Sequence, residues 1–310
     1  MSFRHLGRSV VASAAWLKEH PTVRIRDTQN VQTKINGLIR EGPSRVQLIT
    51  DFDRTLSRTH YHGKPVSTSY CIFEDDHHVK EEYRDLAVQL RNKYYPIEIN
   101  PNLSNEQKLP HMIQWYKESF DIVLKLKVHI DDLPAMVQRA DLHLREHTVS
   151  LFSLLAKKGI PILVFSAGLG DVVRISLDQQ GALCDNVTIL SNFLEYDQQG
   201  WPVKFSDTLL HMYNKSALFP HAGEYYRSEK VSNRKNAVLL GDSIGDCSMA
   251  DGAPQVKPPP DGDSVVLKIG FLDHDVEKRL ETFLFLYDLV LVDDQTMDVV
   301  SELFEDVCQS

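Results

Sequence analysis

The 310-residue chain has only four cysteines, Cys71, Cys184, Cys247 and Cys308, with no paired spacing among them. That scatter excludes a disulfide framework and a cysteine-rich zinc site, and it fits a reducing compartment. No apolar run approaches the ~18 residues that a spanning helix needs. Nor is there a surplus of positive charge: the net charge of -9 argues against a nucleic acid polymer as partner. Internal repeats and low-complexity tracts are absent as well. With 42% hydrophobic residues, the chain can bury a full core, and its length suits two domains or one domain with a large insertion. A small anionic substrate would have to be held by a local site, against the overall charge.

The first eighteen residues carry Arg4, Arg8, Lys18, several serines and no acid. This faintly resembles a mitochondrial transit peptide, but a disordered or helical tail is the simpler reading, with the cytoplasm as default location. Val31, Ile35, Leu38 and Ile39 then recur at helical spacing, with Asp27 or Thr28 to cap the start and Gly42-Pro43 to end it. Val46 to Thr50 reads as a buried strand running into Asp51-Phe52-Asp53. Similar apolar runs begin at Pro161, Asn236, Val265 and Leu289, and helical patterns over 149–158 and 171–180 separate some of them. Alternating strand and helix implies an α/β fold with a doubly wound parallel sheet, whose ligands sit at the carboxyl ends of the strands.

Acidic and small polar residues recur at those strand ends. Asp51 and Asp53 can project toward one point, and their roles must differ, because close like charges push pKa values apart unless a cation intervenes. One carboxylate can attack phosphorus while the other protonates the leaving alkoxide and later activates water. Taken alone, the pair could equally be a turn or helix cap. Gly241-Asp242-Ser243-Ile244-Gly245-Asp246 adds two carboxylates at a second strand end. Four aspartates from two strand ends favour a magnesium site. Ser166-Ala167-Gly168 offers a hydroxyl and backbone N–H groups to phosphate oxygens, and Lys215 can neutralise a transferring phosphoryl group.

Residues 60–145 are dominated by helical periodicity, with Val79, Tyr83, Leu86 and Leu90 on one face and Met112, Trp115 and Val123 on another. They read as a helical cap inserted into a core formed by 23–59 and 146–310, behind an N-terminal tail of residues 1–22. Ser191 to Ser206 reads as a short β-hairpin, and Val256 to Asp263 as a proline-rich surface loop.

Asp-x-Asp-x-Thr, the strand-end Ser, the downstream Lys and Gly-Asp-Ser-x-x-Asp resemble the four motifs of the haloacid dehalogenase-like phosphatases. Ile49-Thr50-Asp51-Phe52-Asp53, Thr55-Leu56-Ser57-Arg58, Tyr94-Tyr95-Pro96-Ile97-Glu98 and Phe165-Ser166-Ala167-Gly168 further resemble the class III cytosolic 5′-nucleotidases. That family comprises the pyrimidine and the 7-methylguanosine phosphate-specific enzymes, and the similarity runs from Val23 to the C-terminus.

The resemblance implies that Asp51 is the nucleophile and Asp53 the proton donor to O5′. It implies Mg2+ on Asp51, the Asp53 main-chain carbonyl and Asp242, supported by Asp246, with Thr55, Ser166, Ala167, Gly168 and Lys215 binding phosphate. Glu98 would read the base edge beside Ser119, because a carboxylate suits the exocyclic amine of cytosine and the N–H groups of guanine. Trp115 would stack on the base, with Tyr70 or Phe73 as partners, and a charged 7-methylguanine would add cation–π attraction.

Arg54, Tyr70-Cys71 and Phe120 depart from the pattern expected of relatives, which leaves base selection open. The expected activity is hydrolysis of a nucleoside 5′-monophosphate, with 7-methyl-GMP and CMP favoured, by a monomer. The alternatives are a phosphatase for non-nucleotide monoesters and an inactive nucleotide-binding module.

Overall fold

The computed structural model describes Leu17 and residues 20–98, 100, 102–216 and 222–309. The tail expectation therefore falls almost wholly outside the described residues. Its last part is docked, since His20 contacts Glu302 at 3.1 Å and the Thr22 hydroxyl donates to Asp294 at 2.8 Å.

In chain order the elements are β1 (Val23–Arg24), α1 (Thr28–Glu41), β2 (Val46–Thr50), β3 (His60–Tyr61), β4 (Lys64–Pro65), α2 (Ile72–Asp75) and α3 (Glu81–Glu98). Next come α4 (Asn105–Leu126), α5 (Leu133–Arg139), α6 (Thr148–Lys157), β5 (Ile162–Leu169), α7 (Gly170–Gln179), β6 (Val187–Asn192), β7 (Leu194–Tyr196) and β8 (Pro202–Phe205). The chain closes with α8 (Ala222–Arg227), β9 (Asn236–Gly241), a 3-10 turn (Ile244–Ser248), β10 (Val266–Leu272), α9 (Val276–Leu286), β11 (Leu289–Val292) and α10 (Asp298–Gln309). None of the described helices is long and apolar enough to cross a membrane.

The main sheet runs β1-β11-β10-β9-β2-β5-β6, parallel except for β1. Strands β2, β5 and β9 are buried along their whole length, so they carry continuous apolar runs rather than alternation. Successive side chains still serve opposite faces. Leu48, Val164 and Val238 enter a core shared with α1, α6, α7 and α10, while Ile49, Leu163 and Leu239 enter a second one with Tyr225, Tyr226 and Phe283.

From β2 the chain winds outward through β5 and β6, then returns to β9 and winds the other way through β10 and β11. The reversal opens a crevice at the carboxyl ends of β2 and β9. Thr50 pairs with Leu240, which places Asp51 beside Gly241.

Local signals explain the helix ends. Asp27 accepts from Asn30 N at 2.9 Å to start α1, and Gly42 ends it at φ +74°. Ser104 and Gln107 form a reciprocal capping box on α4. The hairpin expected over 191–206 is β7 and β8. Residues 60–145 hold α2 to α5 and the β3–β4 hairpin, and contribute no strand to the main sheet. Of the expected inner face, Val79, Tyr83 and Leu90 are buried or half-buried, but Leu86 is 43% exposed and the buried side chain on α3 is Tyr94. Tyr94 stacks on Trp115 at 5.9 Å, so the α3–α4 seam lies a quarter-turn away from Leu86.

Candidate active site

The acidic loop of Asp51-Phe52-Asp53 begins where β2 ends. Phe52 is fully buried, so the residues on either side of it turn the other way, toward the crevice. Arg54 adopts φ +63°, a left-handed turn that lets the Phe52 carbonyl accept from the N–H groups of Thr55, Leu56 and Ser57. Asp51 is thereby held rigid on a strand end, with Asp53 one turn away.

Three carboxylates converge there. Oxygens of Asp51, Asp242 and Asp246 all lie within 4.8 Å of one another. Lys215 reaches in from the opposite loop and donates to Asp51 Oδ1 at 2.5 Å and to Asp246 Oδ1 at 2.8 Å. The other oxygen of Asp246 accepts from Ser243 Oγ at 2.8 Å and from the N–H groups of Ser243 and Asp242. This fixes the turn after β9. Gly245 is required there, since a Cβ would sit 1.9 Å from the Met212 carbonyl of the Lys215 loop.

Burial raises the Asp51 carboxyl well above its ordinary range; Lys215 pulls it down, and Asp246 and Asp242 push it up again. Asp242 is raised to about 7, by burial first and by Asp246 second. Lys215 is opposed by its own burial, yet Asp246 and Asp51 hold it firmly protonated. If all three carboxylates ionised, the one ammonium would leave two negative charges uncompensated. That surplus, and its hard oxygen donors, match a divalent cation, which would let all three acids ionise together.

The fourth aspartate is elsewhere, contrary to the expectation of four acids around one ion. Both oxygens of Asp53 are taken by Ser69, from its N–H at 2.7 Å and its hydroxyl at 2.5 Å. The Asp53 side chain is thus outside the three-carboxylate cluster. Burial raises the Asp53 pKa, against the hydrogen bonds from Ser69.

The end of β5 closes the site. Ser166 Oγ accepts from Gly168 N at 3.0 Å, and the Ala167 carbonyl accepts from Asn192 at 2.8 Å. Asn192 also makes two 2.9 Å hydrogen bonds with the backbone of Leu210, tying the Ser166 segment to the loop that bears Lys215. At Gly168 any side chain is excluded, because a Cβ would lie 2.1 Å from Ser69 Oγ and 2.8 Å from Asp53 Oδ2. Thr55 is fully buried, its hydroxyl has no hydrogen-bond partner, and its carbonyl is held by Arg145.

On the insertion side, Glu98 ends α3. Burial raises its pKa, against the fields of Arg54, Lys108 and Arg279. Tyr70 leans its hydroxyl to within 3.5 Å of the Ala167 carbonyl and packs edge-on to Tyr116 at 6.0 Å. The Tyr116 hydroxyl is raised by burial first, then by the charges of Glu98, Asp51 and Asp53, so it stands where the insertion meets the carboxylates. Trp115 and Tyr116 lie ~100° apart around α4, with Ser119 between them. Phe73 is only 5% exposed and packs in the main core, which gives it a packing role.

Ser69, Asn192 and Tyr116 were not singled out from the sequence. Ser69 and Asn192 carry no local motif, and their partners lie 16 to 100 residues away. Tyr116 had a signal, its adjacency to Trp115, that composition alone could not rank.

An aspartate at one strand end, an acid pair after the neighbouring strand, a lysine and a serine loop define a haloacid dehalogenase-like α/β protein. Residues 54–308 match the family model described as "Pyrimidine 5'-nucleotidase (UMPH-1)". The chain is 36% identical over 289 residues to 7-methylguanosine phosphate-specific 5′-nucleotidase of Homo sapiens, covering 93% of each. It is 35% identical over 278 residues to the Drosophila melanogaster protein of the same name, covering 89% of this chain and 84% of that one. Among solved structures it is similar to cytosolic 5′-nucleotidase IIIB bound to cytidine, with TM-score 0.82, 33% identity and coverage of 94% and 95%. The chain belongs to the pyrimidine 5′-nucleotidase (UMPH-1) family.

Proposed function

We propose that this chain is a magnesium-dependent 5′-nucleotidase that hydrolyses nucleoside 5′-monophosphates, 7-methyl-GMP and CMP foremost, as a cytoplasmic monomer. The observation that carries this reading is the division of labour among the acids. Asp51 sits in the charged cluster with Lys215, whereas Asp53 is held apart by Ser69, which donates to both of its oxygens.

In the first step an Asp51 carboxylate oxygen attacks phosphorus and the P–O5′ bond breaks. Asp53 gives its proton to O5′, so the nucleoside leaves as an alcohol and not as an alkoxide. Asp53, now ionised, takes a proton from water, whose oxygen attacks the phosphoryl group on Asp51 and releases phosphate. Lys215, Ser166, Ala167 and Gly168 orient the phosphoryl oxygens. Mg2+, held by Asp51, Asp242 and the Asp53 carbonyl with Asp246 behind them, would neutralise charge on the transferring group.

Residues 60–145 serve in this reading as the cap over the core of 23–59 and 146–310. Glu98 and Ser119 would read the base edge, and Tyr116, Tyr70 and Trp115 would supply aromatic faces, each stacked base being worth roughly 1–3 kcal/mol. The relatives named for 7-methylguanosine phosphate support this choice of substrate, as does the cytidine-bound structure.

A substrate panel tests the reading. With Mg2+, turnover is expected for CMP and 7-methyl-GMP, with little for ribose 5-phosphate, and chelation should abolish it. Equal rates on sugar phosphates would refute base recognition, and no turnover with any metal would refute catalysis.

A further inference from the structure

We propose that Arg145 is a positioning residue for proton donation, its buried guanidinium holding the backbone that follows Asp53 by the carbonyls of Arg54 and Thr55. Arg145 is 1% exposed and is among the largest fully buried side chains of the described residues. Its Nη2 donates to the Arg54 carbonyl at 2.6 Å and its Nε to the Thr55 carbonyl at 2.8 Å. The same group donates to Asp273 Oδ2 at 2.6 Å and to the Asp294 carbonyl, and it lies 4.1 Å above the Phe271 ring. One planar fork thus ties the loop after β2 to the ends of β10 and β11. Only a guanidinium offers that many donors in one plane.

The position of Arg145 in the chain gives the contact its meaning. It lies where the polypeptide returns from residues 60–145 to the core. Its N–H donates to the Leu56 carbonyl at 2.8 Å, Leu144 bridges Ser57, and Arg58 N donates to His143 O at 2.8 Å. The outgoing and returning segments are therefore zipped together beside the left-handed turn at Arg54. Asp51 is held independently by the β2–β9 ladder and Lys215, whereas Asp53 is placed by this turn and by Ser69. Loosening Arg145 should displace Asp53 more than Asp51. The inference rests on the nucleotidase reading above.

The test compares CMP with its 5′-S-phosphorothiolate, in which sulfur replaces the bridging O5′. A thiol ionises near pH ~8.5, so the thiolate leaves without an acid, whereas the alkoxide needs one. Arg145→Lys keeps the charge but cannot reach all four partners. Expected for CMP is a fall of about 100-fold in the single-turnover rate of nucleoside release, the step that needs the proton and precedes attack by water, as for a displacement of about 1 Å, with CMP affinity unchanged within about twofold. The phosphorothiolate should lose less than about tenfold, so the thio-to-oxygen rate ratio rises at least about tenfold. Asp273→Asn should shift that ratio in the same direction by less, and it decides the matter if Arg145→Lys does not fold. Equal losses on both substrates, or none, would overturn the proposal. A wild-type enzyme active on neither substrate would overturn the nucleotidase reading, and the proposal with it.

Discussion

Removing Lys215 separates its structural from its catalytic work. Lys215→Met keeps the length of the side chain and deletes a charge that is 4% exposed and bonded to Asp51 and Asp246 at 2.5 and 2.8 Å. Breaking a buried ion pair by removing one partner typically costs 3–5 kcal/mol, so a metal-free loss of about 4 kcal/mol is expected at pH 8. The deficit must depend on pH. Asp51 and Asp242 already have raised pKa values, Asp242 near 7, so the folded state binds more protons than the unfolded chain below that pH. A group with a raised acid pKa gives stability as pH falls through its folded value. Loss of Lys215 raises these values further, and lowering the pH from 8 to 5 should recover much of the loss. Mg2+ should recover part of it too, by mass action on the folded state, with about 2.7 kcal/mol available at 100 times Kd. Urea unfolding across pH, with and without Mg2+, measures all three quantities. A pH-independent loss, or one that Mg2+ does not touch, would refute the carboxylate cluster as a cation site.

Three further outcomes follow from the same geometry. Gly168→Ala should lower kcat about 100-fold, because the methyl group has no space beside Ser69 Oγ and Asp53 Oδ2, and wild-type steady-state rates would contradict this. Glu98→Gln should raise KM for CMP about 10- to 100-fold, the cost of one charge-assisted hydrogen bond. The wild-type KM should also climb on acidification sooner than for an ordinary glutamate, since burial raises this carboxyl, and the Gln variant should lack that limb of the KM–pH profile. Tyr116→Ala should cost about 5- to 100-fold in kcat/KM on nucleotides while sparing ribose 5-phosphate, and equal losses on both would assign Tyr116 to packing.

The parallel sheet and the strand-end acids were legible because a fully buried strand demands a continuous apolar run, and the polar residue that ends the run marks the strand's carboxyl end. Asp51 and Asp242 were found in this way, as were Ser166 and the glycine-rich turn. That Asp53 differs in role from Asp51 was expected, but what holds its side chain apart from the cluster was not legible. It depends on Ser69, sixteen residues on, which folds back over Asp53 only through tertiary structure. The inner face of α3 was misjudged at Leu86 for a related reason. Apolar periodicity names a face, but the contact between Tyr94 and Trp115 chooses which side the helix turns inward. Arg145 lay beyond sequence reasoning altogether, because a buried arginine reads as a surface charge until its four acceptors are in view.

The most direct measurement is acid quenching of the Mg2+-loaded enzyme during CMP turnover, followed by mass spectrometry of the peptide that contains Asp51. A phosphoryl group on Asp51 is expected in the wild type, with neither label nor turnover in Asp51→Asn although CMP still binds. Steady turnover by the Asn variant, or labelling confined to another residue, would contradict nucleophilic attack by Asp51.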